Sequence, residues 1–265
     1  MVKWLTAHGR SPEPGAPSPA AWRDRAILWS SLAAITLIAW LYLLWMPMAP
    51  SDLGAFGRAA LFRVPPGLVD VLLTFMMWAV MMVAMMLPSA APMIATYARL
   101  VSNRNEVSRW RLSAIFAASY LIVWTVFSAL ATIGQLGLQR LGLVTNALTT
   151  VPIASAILLI LAGIYQVSAL KRVCLTGCRS PVGFFMTDWR EGAGGALRMG
   201  LRHGAMCLGC CWLLMLLLFV FGAMNLVWVA ALSAFVLLEK LLPGGRLIAR
   251  GSGIAMIAAG LVMLA

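Results

Sequence analysis

The chain has 265 residues, of which 62% are hydrophobic and only 11% charged, whereas a water-soluble domain carries roughly a quarter charged residues. That deficit excludes an ordinary soluble globular domain and places the chain in the membrane class. A net charge of +12 would suit nucleic acid in a soluble protein; in so apolar a chain it reports the gathering of Lys and Arg in cytoplasmic loops, and no nucleic-acid partner is expected.

Residues 1–26, with "SPEPGAPSPAAW" at their centre, have the Pro-rich polar composition of a disordered tail. The apolar run that follows is long enough to cross a bilayer and is not followed by a small-residue cleavage site, so it is read as a span rather than a signal peptide. Residues 27–265 then form one integral membrane domain: an all-α, polytopic bundle of about seven spans. These are expected near 27–47, 68–97, 113–138, 152–170, 204–222, 225–242 and 247–265. Each supplies about 20 mostly apolar residues whose backbone groups are satisfied within the helix. Pro88 and Pro92 predict a kink or break in the second span. The fifth and sixth are joined only by "GAMN", a tight hairpin.

Alternate loops differ sharply in charge. Seventeen of the twenty Lys and Arg fall on one side: four in the tail, four after the second span, six after the fourth and three after the sixth. Only Arg58, Arg63 and Arg140 fall on the other. By the positive-inside rule the N-terminus is cytoplasmic and the C-terminus external.

The chemistry concentrates at "RHGAMCLGCCW". At 100° per residue, with His203 at the origin, Cys207 falls near 40°, Cys210 near −20°, Cys211 near 80° and Met206 near −60°, all on one helix face. Upstream, "LKRVCLTGCRSP" places Cys174 and Cys178 four apart, on one face if helical. All five cysteines therefore lie toward the cytoplasmic surface, where thiols stay reduced and structural disulfides are not expected. Reduced thiols with His and Met suit soft metals: Cu(I) first, with Zn(II) at thiolate and imidazole sites second. A free Cys also packs as a small hydrophobe; three within five residues plus a second pair favour metal or redox chemistry over packing.

The second span carries "FMMWAVMMVAMMLPSAAPM". Met77, Met81, Met82, Met85, Met86 and Met93 make a broad stripe, and Met46 and Met48 stand at the outer end of the first span. Thioethers suit Cu(I) far better than Zn(II), so these eight residues are the candidate relay toward the inner thiols. The competing reading is core packing, which methionine also serves. Glu239, near the inner end of the sixth span, is a costly carboxylate at membrane depth; it reads equally as a polar site or as a boundary residue paired with Lys240. Asp70 reads as a helix cap. Gly200 and Gly204 permit close helix approach, and Tyr165, Gln166 and Asn225 are polar positions open to helix contact or a site. No HExxH, GxSxG or haem-attachment motif occurs, so no sequence motif favours an enzyme.

Four segments, "MMWAVMMVAMMLPSAAPM", "GIYQVSALKRVCLTGCRSP", "CLGCCWLLMLLLFVFGAMNLVWVA" and "LLEKLLPGGR", together resemble the bacterial family of predicted metal-binding integral membrane proteins, long described as a domain of unknown function. The resemblance covers about residues 70 to 260. It implies a multi-pass metal-binding protein of the bacterial inner membrane, with Cys174, Cys178, Cys207, Cys210, Cys211 and Glu239 as functional residues.

The leading reading is thus a soft-metal protein, with copper as Cu(I) the first choice. Its five cysteines are thiolate ligands and His203 and Met206 accessory ligands. It moves the metal or hands it to a chaperone or partner membrane subunit. Two other readings fit the same residues: a membrane thiol–disulfide oxidoreductase, and a structural subunit or assembly factor whose cysteines only pack.

Overall fold

A computed structural model describes residues 19–45, 67–143, 150–222 and 225–265. Among these residues the structure is helical throughout, with no strand: α1 Pro19–Trp45, α2 Leu68–Leu100, α3 Glu106–Arg140, α4 Pro152–Val167, α5 Ala169–Arg179, α6 Pro181–Asp188, α7 Gly192–Leu216, the single turn α8 Leu218–Phe221, α9 Leu226–Leu241 and α10 Gly245–Leu264. Met46, Met48, Arg58, Arg63 and the centre of the expected 222–225 hairpin lie outside the described residues.

Five helical stretches are long and apolar enough to cross a membrane: Trp22–Trp45, Leu68–Leu100, Glu106–Arg140, Gly192–Phe221 and Gly245–Leu264. A sixth arises if α4 and α5, bent by 64° at their junction, act as one. The expected span at 225–242 appears as α9, with sixteen residues. At 1.5 Å per residue that is about 24 Å, below the roughly 30 Å of a hydrocarbon core.

Helix α2 is the centre. It packs against α1, α3 and α9, while α7 packs between α3 and α5, and α4 pairs with α10. From Met81 to Tyr97 twelve of seventeen residues of α2 are buried and none is exposed, so the methionine-rich stretch lies inside the protein. Pro88 and Pro92 do not end this helix, which runs unbroken to Leu100. A proline lacks the N–H that would bond the carbonyl four residues back; for Pro88 that carbonyl is Ala84, and it accepts instead from Trp40 Nε1 of α1 at 3.2 Å. A backbone defect is thereby turned into a contact between helices. Asp70 caps the start of α2, its carboxylate accepting from the Gly67 N–H at 2.7 Å.

Two glycine seams set helix spacing. A Cβ on Gly200 would come within 2.4 Å of the Phe116 carbonyl oxygen, and one on Gly204 within 2.8 Å of Val123 Cγ2. The four-residue spacing of these glycines thus lets α7 lie directly against α3. Gly163 and Gly253 do the same for α4 and α10: a Cβ on either would approach the other's carbonyl oxygen to 2.6 and 2.9 Å.

Candidate metal centre

Helix α7 begins at Gly192, twelve residues before the expected span, because the small residues of "GAGGALRMG" carry the helix inward from the loop. The cysteine segment therefore sits well inside a helix rather than at its mouth. At 1.5 Å per residue, Cys207 is roughly 22 Å along α7 from its start. His203, Cys207, Cys210 and Cys211 are each no more than 2% exposed, as their common helix face requires. Met206, at the edge of that face, is half-buried.

The second cysteine pair is brought to the first by the break between α4 and α5. Ser168 ends α4 in an extended conformation, and its hydroxyl caps α5 by accepting from the Lys171 N–H at 3.2 Å. The chain turns there and lays α5 along α7. Close approach is again glycine-dependent: a Cβ on Gly209 would meet Cys174 Sγ at 2.8 Å, and one on Gly177 would meet Met206 Sδ at 2.7 Å. Tyr165, just before the break, donates its hydroxyl to the Gly209 carbonyl. All five cysteines are free thiols.

Cys207 is the hub. Cys178, Cys210 and Cys211 are its thiol neighbours. Tyr120 Oη of α3 lies 3.1 Å from it, placed there by the glycine contact between α3 and α7. Lys240 Nζ of α9 donates to it at 3.0 Å and also to Ser89 Oγ of α2 at 3.0 Å. Tyr120 Oη also donates to the Met86 carbonyl oxygen at 3.1 Å, which leaves its own oxygen able to accept from the Cys207 thiol. Cys211 Sγ reaches Met86 Sδ at 4.0 Å, which joins the methionine-rich helix to the thiols. Cys210 and Cys211 both donate back to the Cys207 carbonyl at 3.0 Å. That self-bonding directs their hydrogens away from a shared centre, and among the described residues no three His, Cys, Asp or Glu side chains are arranged to hold a metal ion.

His203 stacks on Tyr120, with ring centroids 5.3 Å apart, and meets the edge of Phe184 at 5.9 Å. Both its ring nitrogens are buried without a hydrogen-bond partner. A buried imidazole with neither nitrogen bonded loses the solvation of two polar atoms.

Of the two readings of Glu239, a polar site or a boundary residue paired with Lys240, the second does not match the geometry, in which the two neighbours make separate contacts. Glu239 Oε1 takes Lys171 Nζ of α5 at 2.7 Å, with both side chains no more than 2% exposed. Lys171 also donates to Gln166, whose amide donates to Ser252 Oγ at 3.0 Å. Consecutive residues of a helix project about 100° apart, so Glu239 faces α5 while Lys240 faces Cys207. Lys171 and Lys240, counted among the loop charges of the sequence, are both buried. Of the expected relay residues, Met77, Met81, Met82, Met85, Met86 and Met93 are all no more than 2% exposed. Tyr120, Ser89 and Lys240 carried no sequence signal for a place beside the thiols.

A buried group of thiols, an imidazole and a thioether is the donor chemistry of soft-metal proteins. The chain belongs to the PpoB2 copper chaperone family, whose model matches residues 75–263. The matched stretch contains all five cysteines, His203, Lys171, Glu239, Lys240 and the α2 methionines. Neither the curated proteins nor the solved structures supply a match to the chain.

Proposed function

We propose that this chain is a multi-pass protein of the bacterial inner membrane that takes up Cu(I) at the thiols around Cys207 and passes it to a partner, either a metal chaperone or a second membrane subunit. The reading rests on one observation: cysteines from two separate helices, Cys174 and Cys178 on α5 and Cys207, Cys210 and Cys211 on α7, are folded against each other in a member of a copper chaperone family. The arginine-rich ends of α1, α2 and α3 face the cytoplasm under this reading, and the C-terminus lies outside when the bent α4–α5 pair and the short α9 are counted as the sixth and seventh crossings.

Copper is the cargo. Thiolates of the five cysteines are its main ligands, with His203 Nδ1 or Nε2 and Met206 Sδ accessory. Each thiol that becomes a ligand gives up a proton, and the Lys240 ammonium supplies the positive charge that an anionic copper–thiolate group calls for. Cys210 and Cys211 must release the Cys207 carbonyl to turn toward the ion, so loading requires side-chain rotation. Met86, in contact with Cys211, is the point at which a thioether path along α2, formed with Met77, Met81, Met82, Met85 and Met93, meets the thiols. Thioethers cannot ionise, and this favours Cu(I) over Zn(II). Glu239 locks α9 to α5 rather than binding metal.

The test is metal content. Wild-type protein purified under reducing conditions retains copper in excess of zinc, and the Cys207→Ser/Cys210→Ser/Cys211→Ser variant loses it. Equal copper in the two proteins would refute the site. A second reading, thiol–disulfide exchange, is favoured by the contact of Lys240 with Cys207, because a cation beside a sulfur promotes the thiolate that attacks. It requires a cysteine pair that cycles between oxidised and reduced forms in cells. Labelling of free thiols before and after reduction separates the two readings.

A further inference from the structure

A second site lies far from the sulfur atoms in sequence and has no part in the copper reading. The N-terminal end of α1, the C-terminal end of α2 and the N-terminal end of α3 enclose a cavity of about 550 Å³. Arg25, Arg99 and Arg109 line it, together with Trp29, Trp110 and Ser113. A single carboxylate, Asp24, accompanies the three guanidinium groups, and it is bonded to Arg109 at 2.9 Å. The walls thus carry an excess of positive charge.

Three polar atoms of the lining residues are buried without a partner: Ser113 Oγ, Arg109 Nε and Asp24 Oδ1. Ser113 is 3% exposed, so its hydroxyl cannot find bulk water. Buried polar groups are normally satisfied; Asp24 Oδ1 can serve one of the two unused donors, which leaves one donor, beside exposed guanidinium groups, in need of an acceptor. Guanidinium forks match phosphate oxygens, and tryptophans favour the level of lipid headgroups.

The geometry points to a binding site for a phosphate-bearing anion in this cavity, filled in the membrane by the headgroup of an acidic phospholipid. Arg25 and Arg99 meet the phosphate charge. Arg109 Nε or Ser113 Oγ donates to its oxygens, and Trp29 and Trp110 flank the glycerol region. The α1 wall lies outside residues 75–263, the stretch that defines the family, so the family description does not assign this site.

The experiment uses the full chain in neutral detergent. Phosphatidylglycerol or phosphatidylcholine is titrated in, and bound lipid is counted by native mass spectrometry. Wild type retains phosphatidylglycerol at least about tenfold more tightly than phosphatidylcholine, in keeping with the effect of a basic cluster on anionic lipid. Arg25→Gln/Arg99→Gln, at two exposed positions, and Ser113→Leu, which fills the cavity, each abolish the preference while copper content stays unchanged. Inorganic phosphate alone forms the second arm. If it raises the melting temperature of wild type but not of Arg25→Gln/Arg99→Gln, and phosphatidylglycerol does no more, the anion is a soluble phosphate bound at the same donors. Equal retention of the two lipids with no response to phosphate overturns the site. A preference for phosphatidylglycerol that survives Arg25→Gln/Arg99→Gln overturns it too.

Discussion

Lys240 Nζ and Cys207 Sγ are 3.0 Å apart in the interior, although they lie 33 positions apart in the chain and on helices whose sequences share no motif. Under the copper reading proposed above, an ammonium in that position balances the negative charge of Cys207 as a ligand. Lys240→Met keeps the length of the side chain and removes the charge. Partners of this kind typically change metal affinity by about 10- to 100-fold. Copper affinity measured by competition with a Cu(I) chelator falls within that range in Lys240→Met, while Lys240→Arg recovers part of it. Unchanged affinity in Lys240→Met would detach this residue from the metal chemistry.

The buried pair of Lys171 and Glu239 makes a different prediction. Removing one partner leaves an uncompensated charge inside the protein, at a cost of about 3–5 kcal/mol, whereas replacing both with apolar residues is often near neutral. Glu239→Gln therefore lowers the unfolding midpoint in detergent strongly, and Lys171→Met/Glu239→Leu restores most of the loss. If Glu239 were instead a copper ligand, the double variant would be as stable as wild type and empty of copper.

The contact of α3 with α7 depends on hydrogen side chains. Gly200→Ala places a methyl group 2.4 Å from the Phe116 carbonyl oxygen, a backbone atom that cannot swing aside. Overpacking of this sort costs about 1–3 kcal/mol, and it moves Tyr120 away from Cys207. Gly251→Ala is the control, because nothing lies within 4 Å of the new carbon. Melting temperatures should fall for Gly200→Ala. They should hold or rise by the equivalent of up to about 1 kcal/mol for Gly251→Ala, since alanine is the better helix residue.

Trp40 and Pro88 are coupled through the Ala84 carbonyl. Trp40→Phe removes the donor and costs about 1 kcal/mol. In a Pro88→Ala background the helix supplies its own N–H to that carbonyl, so the same change costs less. A double-mutant cycle on unfolding free energy should return a coupling of at least about 0.5 kcal/mol; strict additivity would show that the indole bond contributes nothing.

These residues also show where sequence reasoning succeeds. The helices follow from long apolar runs, and the burial of His203, Cys207, Cys210 and Cys211 follows from their positions on one face of α7. Gly200 and Gly204 announce a close helix contact through their spacing alone. The break at Ser168 is less apparent, because the apolar run continues past it and only the capping serine marks the turn. Lys171 and Lys240 defeat the method altogether. A lysine beside an apolar run reads as a boundary charge, and what draws each inward is a partner on another helix, Glu239 for one and Cys207 for the other. Tyr120 and Ser89 are equally silent, since their role depends on the packing of α2, α3, α7 and α9 together.

The inward placement of the two lysines has a chemical corollary. The chain contains only three lysines, Lys3, Lys171 and Lys240, so across residues 19–265 the outward-facing cations are arginines. An acylating reagent that attacks primary amines finds no outward-facing lysine in that stretch while the fold holds. Lys171 and Lys240 are acylated only when their helices part, and each modified amine is then a permanent record of an opening event.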